Sequence, residues 1–263
     1  PYLERAEKSG ATIKYVLETH FHADFVSGHL DLSKKAGATI VYGPNAKPSF
    51  EAHIATDGEE LNVGKLTIKV LHTPGHTMES TTYLLLDENG KPHCIFSGDT
   101  LFIGDVGRPD LAQKMGSLTQ EDLAGYLYES LHTKIMTLPD DVIVYPAHGA
   151  GSACGKNMSK ETFDTLGHQK EVNYALKAAS KEQFIKEVTD GLLPPPAYFP
   201  QNVAMNKGVI QSVDTVKEKG LRALEPAQFE LVAETEGALV LDTRGAQTFK
   251  DGFVPRSINI GIK

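Results

Sequence analysis

Four times in this chain an apolar, strand-like run ends and a metal-capable side chain follows. Tyr15-Val16-Leu17 leads to His20, His22 and Asp24, and Leu66 to Leu71 leads through Thr73-Pro74-Gly75 to His76. His93 to Phe96 leads through Ser97-Gly98 to Asp99, and Val142 to Tyr145 leads through Pro146-Ala147 to His148. Side chains at strand ends on a rigid scaffold are a usual place for a site. The ends converge only if their strands lie side by side, so the pattern demands a sheet. Helical spacing from Phe25 to Gly37 and from Leu118 to Leu131 places helices on that sheet, which gives a layered α/β architecture.

The first break is the most informative. His20-Phe21-His22-Ala23-Asp24 sets three donors within five positions at an irregular strand end, where both imidazoles can turn inward and the carboxylate can follow. Histidine and carboxylate are the usual ligands of Zn and Fe. Asp24 also precedes a predicted helix, whose N-terminal N–H groups favour a carboxylate. The other histidines carry no cluster. His72 is read as a strand cap; His53, His93, His132 and His168 as surface residues; and His29 as lying on a solvated helix face. Cys94, inside an apolar strand, reads as inert packing.

The formal net charge is −8 and the pI about 5.7. With no basic run present, nucleic acid is excluded as a partner. No apolar run reaches the length of a membrane span. Two cysteines without CxxC spacing indicate no disulfide framework and fit a reducing, cytoplasmic setting. The chain begins at Pro1 and enters a helical pattern over Tyr2 to Ser9, as an excerpt of a longer polypeptide would.

Past the last break the chain reads as helical over Ser159 to Ala178 and Lys181 to Leu192, until Leu193-Pro194-Pro195-Pro196 breaks it. A polar connector follows. Ala238 to Arg244 then has the pattern of a buried strand far from the first sheet. The expected organisation is a first domain over 1–209, a linker over 210–221 and the start of a second domain over 222–263.

Five blocks in this order, Thr19-His20-Phe21-His22-Ala23-Asp24, Thr73-Pro74-Gly75-His76-Thr77, Ser97-Gly98-Asp99-Thr100, Gly107-Arg108-Pro109-Asp110 and Pro146-Ala147-His148-Gly149, resemble the metallo-β-lactamase superfamily over roughly residues 1 to 205. The resemblance implies an αββα sandwich with a metal at one edge, in a domain that normally opens with a further strand pair. The Gly-Arg-Pro-Asp block and Gly149-Ala150-Gly151-Ser152-Ala153-Cys154-Gly155 resemble the persulfide dioxygenase branch. Leu241-Asp242-Thr243-Arg244 and Val254 to Ile260 resemble the opening of a rhodanese-like α/β domain, as in bacterial fusions of the two.

The resemblance assigns His20, His76 and Asp99 as ligands of one Fe(II), with His22, Asp24 and His148 around them orienting ligands and hydrogen-bonding. Superfamily hydrolases resembling glyoxalase II carry a further histidine after the Asp of the first motif. Here Phe25 stands there, and a benzyl group has no lone pair, which favours a single metal. The implied reaction oxidises a low-molecular-weight persulfide, of glutathione or coenzyme A, with O₂ to sulfite and free thiol in sulfide detoxification. The family also implies a homo-oligomer, dimer or tetramer. A Zn(II) site on His20, His22 and His76 that hydrolyses thioesters is the rival, and a metal-binding sulfur-carrier or regulatory module without catalysis is the third reading. Cys154 is expected in a Gly-rich loop beside the metal, either as a thiol that relays sulfur or as a small buried residue. Arg108 is expected to hold Asp110 and shape the substrate mouth, to contact a substrate carboxylate, or to form a purely structural pair.

Overall fold

The computed structural model describes residues 1–111 and 118–262. They divide into two compact units, Pro1–Ser212 and Val213–Lys263. Lys263, the last residue of the expected second domain, lies outside the described residues.

The first unit has two sheets. Strands β1 (Tyr15–Leu17), β2 (Thr39–Tyr42) and β3 (His53–Ile54) form a parallel three-stranded sheet. Strands β4 (Glu60–Val63), β5 (Leu66–His72), β6 (Thr81–Leu86), β7 (Pro92–Gly98), β8 (Ile143–Pro146) and β9 (Asp164–Thr165) form a six-stranded sheet in sequential order. Only β7 and β8 pair in parallel there, because the long crossover holding helix α3 (Gln120–Ser130) joins them.

Side-chain alternation stacks the layers. Val41 of β2 joins Leu61, Val70 and Tyr83 in a core between the sheets. Its neighbours Ile40 and Tyr42 face the other way, with Val16 and with Leu30 and Leu32 of helix α2 (His29–Ala36). On the far side, Leu84, Ile95 and Val144 pack under Leu127 of α3, Leu166 of α4 (Leu166–Val172) and Phe184 of α5 (Lys181–Thr189). The result is a helix–sheet–sheet–helix sandwich. The Tyr83 hydroxyl crosses between the sheets and donates to the carbonyls of Glu18 at 2.9 Å and Val41 at 3.2 Å.

Several local expectations change. The four strand ends belong to two sheets, since β1 sits in one and β5, β7 and β8 in the other; convergence comes from stacking as well as from side-by-side pairing. The helix expected over Ser159 to Ala178 is divided. Asp164 and Thr165 pair with β8, and α4 begins only after Thr165 caps it. The chain after the prolines forms α6 (Phe199–Lys207), and the connector contains α7 (Val213–Gly220) and α8 (Pro226–Thr235).

The second unit contains α7, α8, α9 (Ala246–Asp251) and a parallel pair, β10 (Leu241–Asp242) with β11 (Ile258–Asn259). None of its described residues is buried. No helix among the described residues is long and apolar enough to cross a membrane.

Candidate metal centre

The loop after β1 leaves the sheet at Thr19, whose carbonyl accepts from the Thr81 N–H at 2.9 Å. His20 follows, 1 % exposed, with Nδ1 at 3.0 Å from the Thr19 hydroxyl. That contact leaves Nε2 facing the site. His76 follows β5, and its Nδ1 lies 2.9 Å from the Arg108 carbonyl. A carbonyl only accepts, so the proton sits on Nδ1 and the Nε2 lone pair points inward. Asp99 follows β7. His148 follows β8, whose end is tied to that of β7 by the Ala147 N–H donating to the Gly98 carbonyl at 3.1 Å.

These ends bring six donors together. Asp99 Oδ2 lies 3.3 Å from His76 Nε2 and 3.8 Å from His20 Nε2. Asp99 Oδ1 lies 3.4 Å from His148 Nε2, and His148 Nδ1 lies 3.5 Å from Asp24 Oδ2. Within each of two triads, His20–His76–Asp99 and His22–Asp24–His148, one potential ligand atom per residue lies within 4.8 Å of the others. The backbone closes tightly around them. A Cβ added at Gly107 would stand 2.0 Å from the Asp99 carbonyl oxygen and 3.0 Å from His76 Nδ1, so glycine is required there.

Electrostatics shows what the arrangement suits. Burial holds His20 far below the usual imidazole range, with His22, His76 and His148 adding to it. Burial and neighbouring imidazoles lower His22 to about 3, and burial lowers His76 to about 4. These rings are neutral and offer lone pairs. Burial, and then the Asp24 charge, push Asp99 well above its ordinary value. Asp24 Oδ1, His22 Nδ1 and His148 Nε2 are buried without a hydrogen-bond partner, and the Asp99 oxygens have none beyond the Cys154 thiol. So many orphaned acceptors in one place is costly for a folded protein. A cation satisfies them together, so the residues present fit a metal.

Other expectations resolve differently. Phe25 lies beside the second triad, its ring 4.5 Å from His22 and 6.4 Å from His148. Arg108 is 5 % exposed, and its fork is spent on Asp110 at 2.7 Å twice, the Ala153 carbonyl at 3.2 Å and the Leu193 carbonyl at 2.5 Å. It is a clamp on three loops, with four of its five N–H donors committed to protein acceptors. Cys154 packs with Ala23, Phe102 and Phe199, and its sulfur groups with Asp99 and His148. Burial pushes its thiol up, so it stays protonated. Cys94 is likewise buried with a raised pKa. His132 is half-buried and stacked on Tyr128 at 3.8 Å. His29, expected on a solvated face, is 1 % exposed because that face packs on Tyr42 and Phe50. The sequence reading missed Asn202 and Asn206 of α6, which hold the ligand loop; a lone asparagine far along the chain carries no signal of such a contact.

A four-layer sandwich with imidazole and carboxylate donors gathered at its strand ends defines a metal-binding α/β protein. The profile of the Metallo-beta-lactamase superfamily matches residues 2–148, and the chain belongs to that superfamily. Its structure is similar to the crystal structure of a metallo-beta-lactamase from Staphylococcus aureus subsp. aureus COL, with a TM-score of 0.82 at 31 % identity, covering 100 % of this chain and 74 % of that one. The human mitochondrial persulfide dioxygenase ETHE1 is 31 % identical over 204 residues, 74 % of this chain and 72 % of that protein. A probable hydroxyacylglutathione hydrolase of Schizosaccharomyces pombe is 32 % identical over 136 residues, 52 % of this chain and 48 % of its own length.

Proposed function

We propose that this chain is a persulfide dioxygenase with one iron per chain, held by His20, His76 and Asp99. The observation that carries the reading is the pairing of a fully buried His–His–Asp triad with Phe25, which stands beside the second triad and offers no lone pair. Likeness to the human persulfide dioxygenase supports the choice of chemistry. Bound Fe(II) would supply open positions at which a sulfur donor and O₂ are brought together. In the net reaction RSSH, O₂ and water yield RSH, sulfite and two protons.

The chain's own groups have defined work. The Arg108 carbonyl fixes the His76 tautomer. His148, standing between Asp24 and Asp99, is placed to take up a released proton on a ring nitrogen and pass it toward Asp24, which is partly exposed. Arg108 keeps the surrounding loops closed. The rhodanese-like reading of residues 222–263 belongs with this proposal, as the opening part of a sulfur-transfer domain; these residues contain no cysteine to carry sulfur. A mononuclear Zn thioester hydrolase, its ion on His20, His22 and His76, is the second reading, favoured by the hydrolase relative and by the His22 and His76 rings lying 4.3 and 4.9 Å from that of His20.

One experiment separates them. Protein loaded anaerobically with Fe(II) is given glutathione or coenzyme A persulfide and O₂, and oxygen uptake and sulfite are measured. The expected result is sulfite formed with O₂ consumed, and loss of both in His76→Ala. Hydrolysis of S-lactoylglutathione without O₂ uptake overturns the oxygenase reading. An intact metal site with no turnover of any persulfide would favour a non-catalytic module.

A further inference from the structure

The loop that carries three of the six donors has little regular structure of its own to hold it. His20 is anchored through Thr19 to the sheet. Beyond it, α6 takes over. Phe199, Asn202, Val203 and Asn206 stand at helical positions i, i+3, i+4 and i+7, and so share one face. Phe199 packs on Ala23, with Val203 against the same cluster. The two asparagines meet the loop backbone. Asn206 Nδ2 donates to the His22 carbonyl at 2.8 Å and to the Phe25 carbonyl at 2.7 Å, and its Oδ1 accepts from the Ser27 N–H at 2.8 Å. One turn earlier, Asn202 Nδ2 donates to the Ala23 carbonyl at 3.0 Å.

Asn206 is 1 % exposed. A buried asparagine on a packing face is tolerated only when its amide is satisfied, and here three bonds satisfy it. The two carbonyls it holds bracket Asp24 in sequence. Fixing both ends of that short arc fixes where the His22 ring and the Asp24 carboxylate stand.

We propose that Asn206, with Asn202 beside it, is a positioning clasp for the donor loop, setting the placement of His22 and Asp24 against His148 and thereby the affinity of the centre for its metal. This rests on the metal-binding part of the reading above and not on the persulfide. An apolar residue of equal size in place of Asn206 leaves two carbonyls and one N–H unpaired, and the loop relaxes to find other partners.

The test is a Co(II) titration of the metal-free protein, read by the Co(II) absorption bands and by bound-metal analysis. Asn206→Asp keeps the volume and Asn206→Leu the branched shape with bulkier methyls, and both remove the amide donor. Both are expected to lose about tenfold to a hundredfold in affinity and to shift the Co(II) bands. Asn202→Ala, which removes one bond, is expected to lose about threefold to tenfold. A lowered thermal midpoint with parental affinity and bands would mean that the residues serve packing alone, and overturns the clasp. Should the Asn206 variants fail to fold, Asn202→Ala decides, and parental affinity there overturns it equally. A parent chain that binds no Co(II) is a different failure, that of the metal reading itself.

Discussion

Asp99 has no exposed side-chain surface, and apart from the Cys154 thiol neither of its oxygens has a hydrogen-bond partner. A carboxyl kept in such a place destabilises the fold that holds it, by about 1–3 kcal/mol for an unpaired buried polar group and more when charged. Asp99→Asn should therefore leave the metal-free protein at least as stable as the parent while removing bound metal. Scanning calorimetry with and without added metal checks this: the parent midpoint rises, by about 2.7 kcal/mol of stability at a hundredfold excess over Kd, and the variant's does not move. Phe25 makes the complementary case. It lies beside His22 and is 44 % exposed, so a larger or polar ring fits without repacking the core. Phe25→His should raise bound metal from one ion per chain toward two, measured by elemental analysis after dialysis; unchanged stoichiometry sinks the account of Phe25. The donors were legible one by one, because His-x-His-x-Asp, Pro-Gly-His, Gly-Asp and Pro-Ala-His each announce themselves at a strand end. His29 was misread, since a single histidine on an amphipathic helix gives no sign of which side the neighbouring layer covers.

Each donor's place depends on how closely an element approaches the next. Gly75, with φ of +146°, sits where the turn after β5 meets α3; a Cβ there would lie 2.5 Å from the Leu127 Cα and N. Those are backbone atoms, and no rotamer change relieves the contact. Gly75→Ala should push α3 from the sheet edge and carry His76 with it, at a cost of about 1–3 kcal/mol. The expected signs are a lowered urea midpoint and reduced Co(II) affinity together; a native midpoint would show that the turn has slack. At this scale the sequence was readable where period and composition agreed, as in β5, where the run from Leu66 to Leu71 falls within the observed strand. It was unreadable where tertiary contact decided. Asp164 and Thr165 look helical by spacing but are drawn into the sheet by β8. Helix α6 follows three prolines and puts two asparagines on its packing face, so its apolar period is weak. Helices α7 and α8 bury no residue and read as a polar connector.

Over the whole molecule the buried ionisable groups pull stability in opposite directions with pH, and counting them decides the net sign. His22 is lowered to about 3 and His29 and His76 to about 4, all by burial first, with His20 and His148 also lowered. Between those values and the ordinary 6.5, the unfolded chain holds protons on these rings that the folded chain does not. Stability from these groups is therefore present above 6.5 and lost as pH falls toward 4. Glu18 works the other way. Burial raises it to about 7, so between 4.5 and 7 the folded chain holds the extra proton and acid favours the fold; Asp99 acts in the same sense. Five imidazoles against two carboxyls leave acid destabilising. The metal-free protein, kept in chelator, should lose midpoint steadily from pH 6.5 to 4.5 in denaturant titrations. His29 lies outside both donor triads, and both of its ring nitrogens are buried without partners. His29→Phe should keep the packing on Tyr42 and Phe50, remove one proton from the difference and flatten the slope by about 1.4 kcal/mol per pH unit. A metal-free parent whose stability is flat or rises on acidification would mean that the imidazoles are not held neutral by the fold, and the case for lone pairs poised toward a cation would fall with it.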